Sequence, residues 1–437
     1  MIKRTSLLGG AALLALAVFP RPASALEPLP TFLKGARKAA LDNREAFHTA
    51  KQADAQASVQ TATLLPSFNA NGKYTRNQYN IAFALEAGVA PLAVYPTNQW
   101  DALFTLNVPL IDLRAFSRNH AAHLQADQAE QDKKATELSV ERQVVAAYYQ
   151  FAGAIALVQS TRSALAAAQD NLKIAQSQRA AGVAAEVDVQ QALAEVATNE
   201  QNVANSELQR ELSRRQLTTL TGLTPNDEIA PDQGLQFDDA HDEASLEIWE
   251  ARGGETPAEQ AARLAAQAAD SNANAAKLAL VPSLSAVGTE HVTNANAFFL
   301  GHDSAYAVGV QLNWNLDFSN EPQIRAQGEA GEVAKVRQDR ARVQTGDDIH
   351  QAWWTVHADI VQAKAAEARS KAAHLEADLA KDRYAKGVGT QLEAIQANRD
   401  AIAADVGRIQ ADASLAASRA ALRLATGNSL LEGADAK

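Results

Sequence analysis

Side chains suited to chemistry are few in this 437-residue chain, and they are scattered. His120 and His123 stand three apart, a spacing that on a helix can hold a metal ion. Asp347, Asp348 and His350 form a second loose group, and Trp353-Trp354 could wall a ligand. Pairs of this kind are ordinarily solvent-facing helix residues, and Tyr148-Tyr149 repeats the aromatic pair 205 residues earlier, as packing would. The nucleophile elbow, the phosphate loop and the dinucleotide fingerprint are missing; Gly387-Val388-Gly389 lacks the rest of that pattern. Cys is 0, which removes disulfides, thiol nucleophiles, iron–sulfur clusters, cysteine zinc sites and a lipidated N-terminal cysteine. A net charge of −11 argues against a nucleic-acid partner. The expectation is no enzyme, no metal and no cofactor.

Two acids are placed more tellingly. Asp188 lies six residues past Gly182, and Glu393 lies six past Gly387. Acids just inside helix N-termini are favoured by the helix dipole whatever else they do. Where several copies converge on a narrow aqueous pore, the same acids become rings that attract cations. The residues alone leave both readings open.

The elements that position these acids come twice. Leu65-Pro66-Ser67-Phe68 recurs as Val281-Pro282-Ser283-Leu284, and Arg179-Ala180-Ala181-Gly182-Val183 as Tyr384-Ala385-Lys386-Gly387-Val388. Thr221-Gly222 returns as Thr426-Gly427, again 205 residues on, whereas the proline pair is 216 apart. The first copy therefore has a loop between strands about eleven residues longer. Each copy opens with a helix, about Thr31 to Leu65 and Thr256 to Val281, the second with an N-cap threonine and a proline behind it. After the strands, 115–179 contains no proline, and Val144, Tyr148, Phe151, Ile155 and Val158 step by four and three. That is a coiled-coil seam, extended by Leu165, Leu172 and Ala175. Gly182 breaks it, and a partner helix returns from about Asp188 to Thr221. The second copy does the same from Gln323 through Gly387 to Gly427. Roughly 95 alanines suit helices that pack closely.

The strands are clearest on their return legs. Trp100, Ala102, Phe104, Leu106, Val108 and Leu110 alternate with Asp101, Leu103, Thr105, Asn107 and Pro109. Tyr306, Val308, Val310, Leu312, Trp314 and Leu316 alternate with smaller or polar residues. Period-2 patterning over about eleven residues fits a tilted strand crossing a bilayer, apolar toward lipid and polar toward water. A half-buried hairpin in a soluble sheet has the same pattern. The outgoing legs, 67–79 and 283–292, alternate less well.

The ends and the middle complete the division. Lys3, Arg4, the apolar run Leu7 to Phe19 and Ala23-Ser24-Ala25 read as a signal peptide over 1–25. Its removal leaves 51 acids against 37 bases, a charge of −14. Repeats are expected over 26–222 and 256–427, joined by a solvated acidic linker, 223–255, and followed by a tail, 428–437. From Thr224 to Glu259 there are eleven acids against one base, Arg252. No later stretch is apolar for about 18 residues, so membrane entry would have to be by strands.

With its signal peptide, doubled helix–strand–strand–helix–helix units, proline-serine before the strand and the Gly-Val turn followed by an acid, the chain resembles the TolC-type outer-membrane efflux and secretion channels. The resemblance covers essentially all of the mature chain. It implies an α+β membrane protein in which several protomers share one transmembrane β-barrel, four strands from each, on a long α-helical coiled-coil barrel crossing the periplasm. Arithmetic alone leaves two protomers or three, since four strands cannot close a barrel; the family implies a homotrimer. It also implies a passive export duct for a tripartite efflux pump or a type I secretion system. Periplasmic adaptor and inner-membrane transporter would dock at its lower end, with outer-membrane lipid around the barrel. By the same resemblance Asp188 and Tyr384 match residues linking neighbouring helices at the closed entrance, and Glu393 the first of two constriction acids. Gly389 and Gln396 depart from the pattern, standing where some members have a linking arginine and the second acid, and imply a weaker closure. The other reading is a periplasmic structural coiled-coil protein without membrane insertion.

Overall fold

A computed structural model of the chain describes residues 26–84, 91–226 and 241–431. The expected signal peptide lies outside the described residues, as do 227–240 of the acidic segment and the end of the tail.

Helix α1 (Leu29–Ala39) and helix α2 (Leu41–Ala62) replace the single first helix expected, because Ala40 is extended (φ −59°, ψ 130°) and breaks the run. Strand β1 (Ser67–Arg76) follows, then a small ribbon of β2 (Ile81–Phe83) and β3 (Leu92–Tyr95), then β4 (Asn98–Ile111). The ribbon occupies the loop that is longer in the first copy. Asp112 caps α3 (Leu113–Ala180) by accepting from the Ala115 amide at 2.8 Å. At 1.5 Å per residue α3 is about 100 Å long. It turns at Gly182 (φ 77°) into α4 (Glu186–Thr221).

The second copy has α6 (Pro257–Leu278), β5 (Ser283–Thr293), β6 (Ser304–Asn313), α7 (Asn320–Ala385) and α8 (Gln391–Ala425). Thr256 caps α6 through a reciprocal box with Glu259 (3.1 and 3.3 Å). Gly387 (φ 73°) makes the α7–α8 turn. In the upper half the helices lie side by side as α2, α3, α6 and α7; in the lower half, as α4, α3, α8 and α7. Helices α3 and α7 thus run the length of the wall, and the sheet stands at one end in the order β1-β4-β5-β6, antiparallel throughout.

The main cores lie midway. One gathers Phe32, Leu33, Val140, Val144, Phe151, Leu217 and Leu424; the other gathers Trp249, Ile349, Val356, Ile360, Leu415 and Leu422. The seam expected on α3 is buried at Val144, Phe151, Ile155, Val158 and Ala175; around Leu165 the buried places belong to Ala164 and Ala168. The aromatic pairs play matching parts. Tyr148 donates to the Glu27 carbonyl (3.2 Å) and Trp353 to the Ala244 carbonyl (2.8 Å), each reaching the segment that leads into its own copy.

The acidic segment is not wholly solvated. A short helix α5 (Leu246–Arg252) buries Trp249 in the second core, and Glu243 pairs with the buried Arg419 at 3.1 Å. A buried aromatic and paired acids, Glu243 with Arg419 and Asp242 with Lys364 (3.1 Å), hold this stretch down as a strap, which acid counting does not reveal.

Candidate functional site

Two regions concentrate the features singled out in sequence: the sheet and the helical tips. In the sheet, register decides which side chains share a face, because directly paired residues of an antiparallel ladder point the same way. Tyr74 pairs with Trp100, Ala70 with Phe104 and Phe68 with Leu106. Leu106 pairs with Gly288 and Val108 with Ala286; Gly288 pairs with Val308, Ala286 with Val310 and Leu284 with Leu312. One face therefore carries Trp100, Phe104, Leu106, Val108, Tyr306, Val308, Val310 and Leu312 together with Phe68 and Tyr74. Trp314, just past β6, continues its alternation and donates from its indole to the Leu280 carbonyl at 3.1 Å.

The opposite face carries Asn69, Asn71, Lys73, Gln99, Asp101, Thr105, Asn107, Thr289, His291, Thr293, Gln311 and Asn313. Here Asp101 accepts from Thr293 (2.6 Å) and Gln99 (3.0 Å) and meets His291 (3.3 Å). The outgoing legs thus share the segregation that their own alternation hides. One carboxylate departs from it: Glu290 sits on the apolar face, paired with Phe104 and Tyr306. It lies near the loop end of β5, where a charge in a membrane barrel costs little.

Among the described residues, both outer strands, β1 and β6, leave a backbone edge unpaired in this sheet. The apolar face is bare as well; Tyr306 and Val308 are 80% and 79% exposed.

At the tips, Asp188 and Glu393 occupy the same step of their helices. Asp188 accepts from the Ala185 amide at 3.0 Å. Glu393 accepts from the Thr390 amide at 3.4 Å, and the Thr390 hydroxyl accepts from the Glu393 amide at 3.2 Å. Each acid is thus engaged in starting its helix. The Tyr384 hydroxyl donates to Gln391 at 3.4 Å. Its proton is held more tightly than usual, by burial first and then by the nearby charge of Asp188. Gln391 is buried, while Gln396 is exposed. A side chain at Gly389 would bring its Cβ to 3.1 Å from Arg383 Cβ and 3.2 Å from the Tyr384 amide. The glycine is therefore part of how this turn packs.

Sequence reasoning passed over a charged tie between the two hairpins. Arg399 of α8 donates to Glu195 of α4 from Nε at 2.8 Å and from a terminal nitrogen at 2.5 Å. Glu195 is buried and also accepts from Asn199 at 3.2 Å. Its only signal in sequence was a single acid on a helical face of small, apolar and uncharged polar residues. Of the groups considered for metal, His123 meets Thr61 at 3.0 Å and Asp348 accepts from Gln344 at 2.8 Å. Among the described residues no three metal-ligating side chains come together.

The sequence profile of the outer membrane efflux proteins matches residues 33–223 and 255–428. The toluene efflux pump outer membrane protein TtgC of Pseudomonas putida is 28% identical over 299 residues, 64% of this chain and 57% of its own length. The antibiotic efflux pump outer membrane protein ArpC of Pseudomonas putida matches to the same extent, so the match spans little more than half of these relatives. Among solved structures, the outer-membrane channel OprN superposes with a TM-score of 0.76 at 21% identity, covering 98% of each chain. The outer membrane protein VceC of Vibrio cholerae gives 0.75 at 17% identity, over 92% of this chain and 96% of its own. These likenesses extend to the whole fold, sheet and helices together.

Proposed function

The chain belongs to the outer membrane efflux protein family, and from that premise we propose that it is the passive outer-membrane duct of a tripartite efflux pump or type I secretion system. The observation that carries the reading is the sheet. It has four antiparallel strands, one apolar and one polar face, two open edges, and helices about 100 Å long beneath it. Such a sheet is complete only when other copies close it and lipid covers its outer face.

The assembly is a homotrimer in this proposal, in which β6 of one protomer pairs with β1 of the next to give twelve strands. Exposed apolar residues on the outer helices of the wall suit the same contact. Val336, Val343, Trp354, Val361 and Leu375 line α7; Leu41 and Val59 stand out from α2, and Leu193, Leu208 and Leu212 from α4. Their next-protomer counterparts would meet along the full height of the tunnel. Adaptor and transporter engage the tips, and the transporter supplies the energy. The relatives named for toluene and antibiotic efflux suggest small organic solutes as cargo.

At the entrance, Glu393 of each protomer faces the pore and Asp188 helps to hold Tyr384, with Gln396 in the position beside them. The whole reading is tested on the full chain expressed in a Gram-negative host. It should sediment with outer membranes, need detergent for release, and weigh three chains in native mass measurement. In planar bilayers Glu393→Gln should reduce cation preference, and Asp188→Asn should raise resting conductance. A detergent-independent monomer in the periplasmic fraction would defeat the proposal. Variants that conduct and select like the parent would remove both acids from the gate while leaving the duct.

A further inference from the structure

Arg114 and Arg118 stand one turn apart at the start of α3, so their side chains share a face of the helix. Contacts with two neighbouring helices show which face it is. Ser117 donates to the Ser271 carbonyl of α6 at 2.8 Å on one side. On the other, Thr61 of α2 meets Asn119 at 2.8 Å and His123 at 3.0 Å. With about 3.6 residues per turn, the arginines fall on one of the two free faces between these neighbours. Leu113, Phe116 and His120 fall on the other. Leu113 and Phe116 are 45% and 55% exposed and follow directly on β4. As a continuation of its apolar face they take the outer side, which leaves the arginines to the lumen.

We propose that Arg114 and Arg118 form an anion-attracting collar where the helical tunnel meets the barrel, an inference that rests on the duct reading above. Neither guanidinium has an ion-pair partner among the described residues, and Arg114 Nε is buried with no hydrogen-bond partner. Asp112, the acid beside them among the described residues, is already accepting from the Ala115 amide. Burial and the charge of Arg114 both weaken the hold of Arg118 on its proton, with Asp112 acting in the other direction. Like charges one turn apart do not favour the helix, so folding does not account for this pair.

Nor does the duplication account for it. The same steps of the second copy, 205 residues on, hold the neutral Ser319 and Gln323. Arg325, in the second turn of α7, is neutralised by Glu321 at 2.7 Å. In a threefold assembly six unneutralised guanidiniums meet at one level of the duct. Guanidinium forks match oxyanions bidentately, and rings of basic side chains are how pores favour anions and phosphates. The ligand class is therefore multivalent oxyanions, phosphate-bearing solutes above all.

The experiment uses the full-length protein in planar bilayers, with inorganic tripolyphosphate added on the barrel side. The parent should be blocked reversibly. Arg114→Gln with Arg118→Gln should weaken the block at least tenfold and shift the reversal potential in a potassium chloride gradient toward cations. Arg114→Lys with Arg118→Lys should keep the selectivity of the parent with a weaker block, and serves as the check that altered side chains still assemble. Equal block and equal reversal potential in parent and glutamine variant would overturn the collar while leaving the duct intact. Loss of co-purifying anionic phospholipid in that variant, with unchanged selectivity, would place the arginines on the lipid side and overturn it too. A parent that forms no pore would instead overturn the duct reading, and the collar with it.

Discussion

The middle of the molecule and its sheet handle apolar side chains in opposite ways. At the middle, Phe151, Val144 and Leu422 are fully covered by this chain alone. On the sheet, Tyr306, Val308 and Val310 stay at least two-thirds exposed, with no element among the described residues to cover them. The first region is a finished core. The second is an apolar surface left bare among the described residues, as a strand facing lipid would be. Glu141 sharpens the contrast, since even a carboxylate is fully provided for at the middle. It is 2% exposed and is met by Arg37 (3.1 Å), the Ser429 hydroxyl (2.7 Å) and the Leu430 amide (3.1 Å).

The comparison breaks most visibly if a core residue is removed. Phe151→Ala should cost about 3–5 kcal/mol of stability, because the cavity is surrounded by atoms of a packed core. Thermal unfolding of the detergent-solubilised protein measures it, and a change below about 1 kcal/mol would mean that the middle is looser than described. On the sheet the matching change acts on insertion. Leu106→Arg or Leu312→Arg should each cost about 2–4 kcal/mol near the bilayer midplane, whereas Asn107→Arg and Asn313→Arg should be tolerated. The yield of folded protein in outer membranes reads this out; equal yields from both sets would show that the two faces are not distinguished by lipid.

Smaller effects test the tie between the hairpins. Arg399→Gln should cost about 1–3 kcal/mol, since it strands the buried Glu195, with the exposed head of Arg399 holding the figure down. The expected signature is lowered stability together with greater protease sensitivity at the tips. Unchanged protease sensitivity would make Glu195–Arg399 a local ornament of the wall.

The smallest effect concerns pH. Burial, then Tyr149 and Glu27, push the Tyr148 hydroxyl up to about 12. A pKa raised on folding means stability that is fully present below the free tyrosine value near 10 and is lost as pH rises through 12. Tyr148→Phe should flatten that alkaline limb, seen as a melting temperature that changes less between pH 10 and 12. A limb unchanged by the substitution would assign it to other groups.

Legibility followed the range of the interactions. The return strands were readable because Trp100 to Val108 and Tyr306 to Leu312 alternate within a single stretch. The outgoing legs were not, because Gly72, Gly288 and Glu290 interrupt the alternation and only pairing with β4 and β6 shows their faces. At the tips the turns were plain from Gly182 and Gly387, and the acids from their constant step behind them. That Tyr384 reaches Gln391, and that Asp188 and Glu393 each take part in starting their own helices, required the folded turns.

By itself the sequence determined the doubled order of elements, the helix-ending glycines and the alternating faces of the return strands. It also determined the lack of any cysteine chemistry. These properties are local: they depend on residue type, on periods of 2 or 3.5 to 3.6, and on backbone conformations that glycine adopts without strain. Tertiary structure decided the burial of Trp249 in the acidic strap and the provisioning of Glu141 by the tail. It alone joined Glu195 to Arg399 across 204 residues. Those contacts bring together side chains from separate helices, and a pair is chosen by where the helices lie against one another, which no single stretch of sequence records.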